Sequence, residues 1–207
     1  MDLDVALLRD LGLIEAHLLT GAALYEAGDI AAAVMHLDQP VAEIYNTVSD
    51  PLTARGQEQL REQLANLAAA AQAEASLAEL TPLAEAARAT INDLRNDLPI
   101  PLRVTALSVL TRIAADEYSA AVAGETLSNL YAYQTSWGVL RAVEAQAAMM
   151  SENEDEAVAQ AAAKMLNYLA ATDPALGDIK GEGALDMRPS LIYGAAARIE
   201  LAAIGVR

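Results

Sequence analysis

The sequence predicts an all-α protein, an antiparallel up-and-down helical bundle built either as one compact domain or as two consecutive bundles. Three observations predict it. Hydrophobic residues make up 54% of the 207 positions, enough for a sizeable core, and much of that fraction is alanine, the best helix former. Apolar residues recur at spacings of three and four. β-Branched residues are sparse and never alternate with polar ones over the length of a strand. With no Phe and only 4% aromatics, the helices must sit close together.

The first helix is expected over 3–27, where Leu7, Leu8, Leu11, Ile14, Leu18 and Ala22 form an apolar stripe. Gly28-Asp29 supplies its stop and the cap of a second helix over 30–48, which Pro40 should kink. Ser49-Asp50-Pro51 reads as the start of a third helix reaching residue 77, and Thr81-Pro82 as the start of a fourth reaching residue 96. Residues 97–101 (Asp-Leu-Pro-Ile-Pro) form the clearest break and divide the chain into halves, 1–96 and 102–207. A fifth helix is expected over 102–122, ended by Gly124, and a sixth over 127–150. The acidic stretch 151–156 caps a seventh that ends near residue 171. Residues 172–187 hold three Gly and one Pro and read as a loop, after which Pro189 opens a last helix to residue 204.

Thirteen basic against 29 acidic residues give a formal charge of −16. That field repels nucleic acid and anionic membrane, which need clustered Lys and Arg, and it attracts cations. With no Cys, disulfides, thiolate chemistry and Cys-based zinc sites are excluded. No apolar run reaches the roughly 18 residues of a membrane span. The opening Met1-Asp2-Leu3-Asp4 has neither the basic nor the apolar segment of a signal peptide. The expectation is a cytoplasmic protein, or a mature one whose leader has been removed.

Both histidines lie in one region: His17, Tyr25-Glu26-Ala27-Gly28-Asp29, then His36, Gln39-Pro40, Glu43 and Tyr45. If the first two helices form a hairpin about Gly28, His17 lies eleven residues before the turn and His36 eight after it. Their heights then differ by three residues, about 4.5 Å at 1.5 Å per residue. Gln39 and Glu43 follow His36 by three and seven positions, which sets all three on one helical stripe. Two His and a Glu converging from adjacent helices can hold a metal, and two ordinary histidines hydrogen-bonding at a helix interface would give the same spacing. Tyr25, Gly28-Asp29, Ala33 and Pro40 also resemble half of a tetratricopeptide repeat, a helical module for protein interaction.

A second region, Asp116-Glu117-Tyr118, Gly124-Glu125, Tyr131-Ala132-Tyr133-Gln134 and Trp137, surrounds another inter-helix turn. Tyr118 is six residues before Gly124 and Tyr133 nine after it, again about 4.5 Å apart in height. Either the tyrosine rings pack in the core, or Glu117, Tyr118, Tyr133 and Gln134 line a polar pocket for a cofactor. No phosphate loop or HExxH is present, and a catalytic triad would have to use a histidine deep in a helix. The expectation is a protein that is not an enzyme.

Together, over 10–48 and 112–145, these segments resemble the imelysin-like helical bundle proteins of bacterial periplasms. The likeness is carried by His17-Leu18, Leu24-Tyr25-Glu26-x-Gly28-Asp29 and His36-x-x-Gln39-Pro40-x-x-Glu43-x-Tyr45. The second segment resembles the periplasmic helical region attached to some high-affinity iron permeases, through Glu117-Tyr118, the downstream Ala-Val and Gly124, and Tyr133-Gln134. The resemblance implies a non-enzymatic periplasmic binding protein linked to metal uptake, iron above all, with a membrane-bound transport partner. It implies a metal cluster of His17, His36 and Glu43, and a second polar cluster of Glu117, Tyr118 and Tyr133. Three positions depart from the pattern. Gln39 stands where a second histidine is expected, Ala132 where an acid is expected, and Thr20 follows His17 where imelysins carry Glu. Gln coordinates hard cations through its carbonyl oxygen and is a poor ligand for softer ones.

Overall fold

The computed structural model describes residues 2–206 and bears out the all-α class. The chain divides into two compact units, Met1–Leu98 and Pro99–Arg207.

In the first unit, α1 (Leu3–Glu26) starts on Asp2, whose carboxylate accepts the Asp4 N–H at 2.8 Å. It stops at Gly28, whose φ of +79° lets the Asp29 N–H fold back onto the Leu24 carbonyl at 2.9 Å. Asp29 then caps α2 (Ile30–Gln39). The kink predicted at Pro40 takes the form of a π-turn over Pro40–Ile44, closed by the Tyr45 N–H on the Pro40 carbonyl. Proline lacks the donor an α-helix needs there, and a wider turn absorbs the loss.

Two helix starts are corrected. Pro51 lies inside α3 (Tyr45–Thr53), which follows the π-turn directly, and the break comes at residues 54–58, where Gly56 has φ +65°. After α4 (Gln59–Gln72), α5 (Leu77–Asn96) starts on Ser76, not on Thr81-Pro82. Ser76 and Glu79 form a capping box that satisfies the first turn reciprocally, and this outweighs the proline signal six residues later. α1 packs on α2, α2 on α4, α4 on α5 and α5 on α1, a closed ring of four helices. Its core is leucine-rich, with Leu11, Ile14, Leu24, Leu52, Leu60 and Ile91 fully buried.

The second unit repeats the plan. α6 (Ile100–Ala121) begins two residues before its predicted start, because Pro101 fits the first turn, where no N–H is needed. A two-residue hairpin, β1 (Val122–Ala123) and β2 (Thr126–Leu127), leads to α7 (Leu130–Ser151), capped by Asn129. α8 (Glu156–Ala170) and α9 (Ser190–Ala203) close a second ring, α6–α7–α8–α9. Between them, residues 171–189 form a long strap containing one 3-10 turn, Asp173–Ala175. Among the described residues no helix is long and apolar enough to cross a membrane.

Candidate functional site

The α1–α2 hairpin brings the two histidines together. Gly21 sets the spacing: a Cβ there would lie 2.5 Å from Leu37 Cδ2, so only glycine admits this approach of α2. Within that contact the Nδ1 atoms of His17 and His36 are 3.1 Å apart, with ring centroids 5.3 Å apart and planes tilted by 34°. One Nδ1 must donate and the other accept, so the hydrogen bond requires complementary tautomers. His36 is completely buried and His17 is 6% exposed. Burial, and then the neighbouring His36, lowers the His17 pKa to about 3, which keeps its ring neutral. Thr20, one turn along α1, is also fully buried.

Glu43 does not join them. It is exposed, and among the described residues no three His, Asp or Glu side chains converge as metal ligands. The reason is the π-turn. The stripe from His36 through Gln39 to Glu43 assumes 3.6 residues per turn, and the wider turn at Pro40–Ile44 carries Glu43 out of phase with it. Gln39, just before that turn, is half-buried.

The same unit holds a buried ion cluster that sequence reasoning missed. Glu15 is fully buried and receives Arg95 at 2.8 Å and Arg88 at 3.3 Å, both from α5. Arg95, 4% exposed, is held in turn by Asn92 at 2.8 Å. The signal was present: Glu15 sits on the apolar stripe between Leu11 and Leu18, where a lone carboxylate is too costly to bury unpaired. Because Glu15 and His17 are two residues apart on a helix, the ion cluster faces α5 while the imidazoles face α2.

In the second unit Tyr118 and Tyr133 also meet, with ring centroids 6.2 Å apart. Their hydroxyls are committed to the strap. Tyr118 donates toward the carbonyls of Ala175 at 2.9 Å and Asp186 at 3.2 Å, and Tyr133 to that of Asp178 at 2.8 Å. The Gln134 amide reaches the Ile179 carbonyl at 3.4 Å. Glu117, one residue and about 100° around the helix from Tyr118, is half-buried and outside this set. Burial and then Asp116 raise its pKa. The cofactor pocket expected from Glu117, Tyr118 and Tyr133 is therefore corrected: the two tyrosines are a clasp on the 171–189 strap. Burial, helped by Tyr118 and Asp178, pushes the Tyr133 pKa to about 12, so this phenol stays a donor. Trp137 is half-buried under the Arg141 guanidinium, 5.8 Å from its ring centre.

No family model matches the chain, nor does any curated protein or solved structure. The functional reading rests on the site itself. Two facing imidazole nitrogens can share a proton or share a cation. A tetrahedral ion with metal–nitrogen bonds of 2.0–2.1 Å needs its nitrogens about 3.3 Å apart. The 3.1 Å separation and the 5.3 Å between ring centroids set the two nitrogens head-on, as a hydrogen bond requires, and both rings would have to turn for their lone pairs to converge on a cation.

Proposed function

We propose that this is a non-enzymatic helical binding protein whose first unit takes up a transition-metal cation between His17 and His36. The observation that carries the reading is the 3.1 Å Nδ1···Nδ1 approach of the only two histidines in a chain of net charge −16. Neutral imidazole is a good ligand for iron, zinc, copper and nickel, and the depressed pKa of His17 means no proton need be displaced from a cationic ring at neutral pH. The acidic surface raises the local cation concentration. Glu43 is no part of this site.

The imelysin-like resemblance supports the wider setting, a periplasmic role beside a membrane-bound metal transporter. Cell fractionation tests that location. Titration calorimetry with ferrous, zinc and cupric ions tests the binding. Wild type is expected to bind one ion saturably, His36→Ala to bind it at least tenfold more weakly, and Glu43→Ala to match wild type. Equal binding by wild type and His36→Ala, or none by wild type, defeats the reading.

A further inference from the structure

α2 and α4 run antiparallel against each other, and their outer faces leave a groove. It consists of two adjoining open, shallow depressions that share Gln72. Small residues predominate on the walls, Ala31 and Val34 from α2, Ala42 from the π-turn, and Ala65 and Ala69 from α4, with Ile30 and Val41 beside them. The twelve steps from Ile30 to Ala42 span about 18 Å, room for three turns of a helix. Small residues on both walls let another helix approach closely, as ridges-into-grooves packing requires.

The charge of the groove has one sign. Asp29 and Glu74 stand at one end and Asp38 further along, and no Lys or Arg lines it. Gln72 Nε2 donates to both Asp38 oxygens, at 2.8 and 3.0 Å, which holds that carboxylate across the groove without neutralising it. The first unit has sixteen acidic and five basic residues, a balance of −11. All five arginines are engaged elsewhere: Arg9 with Asp10, Arg55 with Asp4, Arg88 and Arg95 with Glu15, and Arg61 over the Tyr45 ring.

We propose that this groove docks a basic amphipathic helix of a partner protein, its apolar stripe on the alanines and its Lys or Arg side chains on Asp29, Asp38 and Glu74. A groove between two helices fits the helix-in-groove mode of recognition, and it offers no sheet edge to an extended peptide. Its sign excludes nucleic acid and anionic membrane. A second copy of this chain fits poorly, because no helix of the chain carries a basic face. The proposal does not depend on metal binding: it uses the outer faces of α2 and α4, whereas His17 and His36 are buried between α1 and α2.

The test is a titration of the full chain, followed by two-dimensional amide NMR, with an 18-residue Lys/Leu/Ala amphipathic peptide. The same peptide with Glu for Lys serves as control. Amide shifts are expected to concentrate in residues 28–42 and 65–74, with no binding of the Glu peptide. Ala69→Arg, at an exposed position, and Asp38→Lys are each expected to weaken the Lys peptide at least tenfold. Glu125→Lys, the same charge change on the β1–β2 turn, should leave affinity within twofold. The proposal is overturned by no binding, by shifts centred elsewhere, by unchanged affinity in both groove variants, or by an equal loss in Glu125→Lys.

Discussion

The α1–α2 and α6–α7 hairpins solve the same problem with opposite results. Each carries a pair of polar aromatic side chains at matched heights on facing helices, and each pair is buried. In α6–α7 the tyrosine hydroxyls find backbone carbonyls of the 171–189 strap, so every bond is internal to the fold. In α1–α2 the two imidazole nitrogens find each other. A tyrosine hydroxyl can end a hydrogen-bond chain on a carbonyl and be finished. Two like imidazoles hold one proton between two lone-pair sites, and a cation could take that place if the donor ring moves its proton from Nδ1 to Nε2. The difference separates a clasp from the proposed binding site.

The largest expected effect tests what holds the histidine hairpin in place. Arg95→Ala leaves the buried Glu15 facing the more exposed Arg88, and should cost about 3–5 kcal/mol in urea unfolding. Replacing Glu15 and Arg95 together by Leu and Met should cost far less, because the buried carboxylate goes with its partner. If the single and double variants lose equal stability, burial of an uncompensated charge is not the cause.

Gly21→Ala should cost about 1–3 kcal/mol, since the new methyl meets both Leu37 Cγ and Cδ2 at 2.5 Å and forces α2 away from α1. Gly194→Ala in α9 is the counterpart. A Cβ there meets nothing within 4 Å, and the change should stabilise by up to about 1 kcal/mol through helix propensity. Thermal melts of the two variants should shift in opposite directions.

The two pairs should also fail at opposite ends of the pH scale. The folded-state pKa of His17, about 3, lies below its ordinary value of 6.5. The unfolded chain therefore binds the proton first, and stability falls by about 1.4 kcal/mol per pH unit from 6.5 downward until the folded ring titrates. The folded-state pKa of Tyr133, about 12, lies above its ordinary value of 10. The unfolded chain loses that proton first, so stability holds below pH 10 and falls at a similar slope between 10 and 12. Denaturation curves of the metal-free protein, with His17→Asn and Tyr133→Phe as references, should show each variant flattening only its own limb.

The smallest effect is that of Tyr133→Phe at neutral pH. It removes one bond to a carbonyl at the surface, about 1 kcal/mol, and should speed amide exchange in residues 176–186 without altering metal binding. Weakened metal binding in this variant would break the distinction between clasp and site.

What the sequence made legible was local and periodic. The stops at Gly28 and Gly124 fix the hairpin heights, and counting residues from them brings His17 near His36 and Tyr118 near Tyr133. What it hid depended on competition or on distance. Pro40 announces a kink but not that the kink is a π-turn, and that one detail swings Glu43 to the outside. Thr81-Pro82 and Ser76-Glu79 both signal a helix start, and the capping box prevails because it satisfies two backbone donors where proline merely lacks one. The partners of Glu15 lie 73 and 80 residues away on α5, beyond the reach of any helical spacing.

The most direct measurement is long-range 15N NMR of the two imidazoles during addition of the ion that binds in calorimetry. Without metal, one Nδ1 should be protonated and the other not, in keeping with the 3.1 Å hydrogen bond. At one equivalent, the proton should move from Nδ1 to Nε2 of the donor ring and both Nδ1 resonances should shift or broaden together, while the tyrosine hydroxyl signals stay fixed. Unchanged imidazole nitrogens at saturating metal would contradict the assignment of His17 and His36 as the binding site.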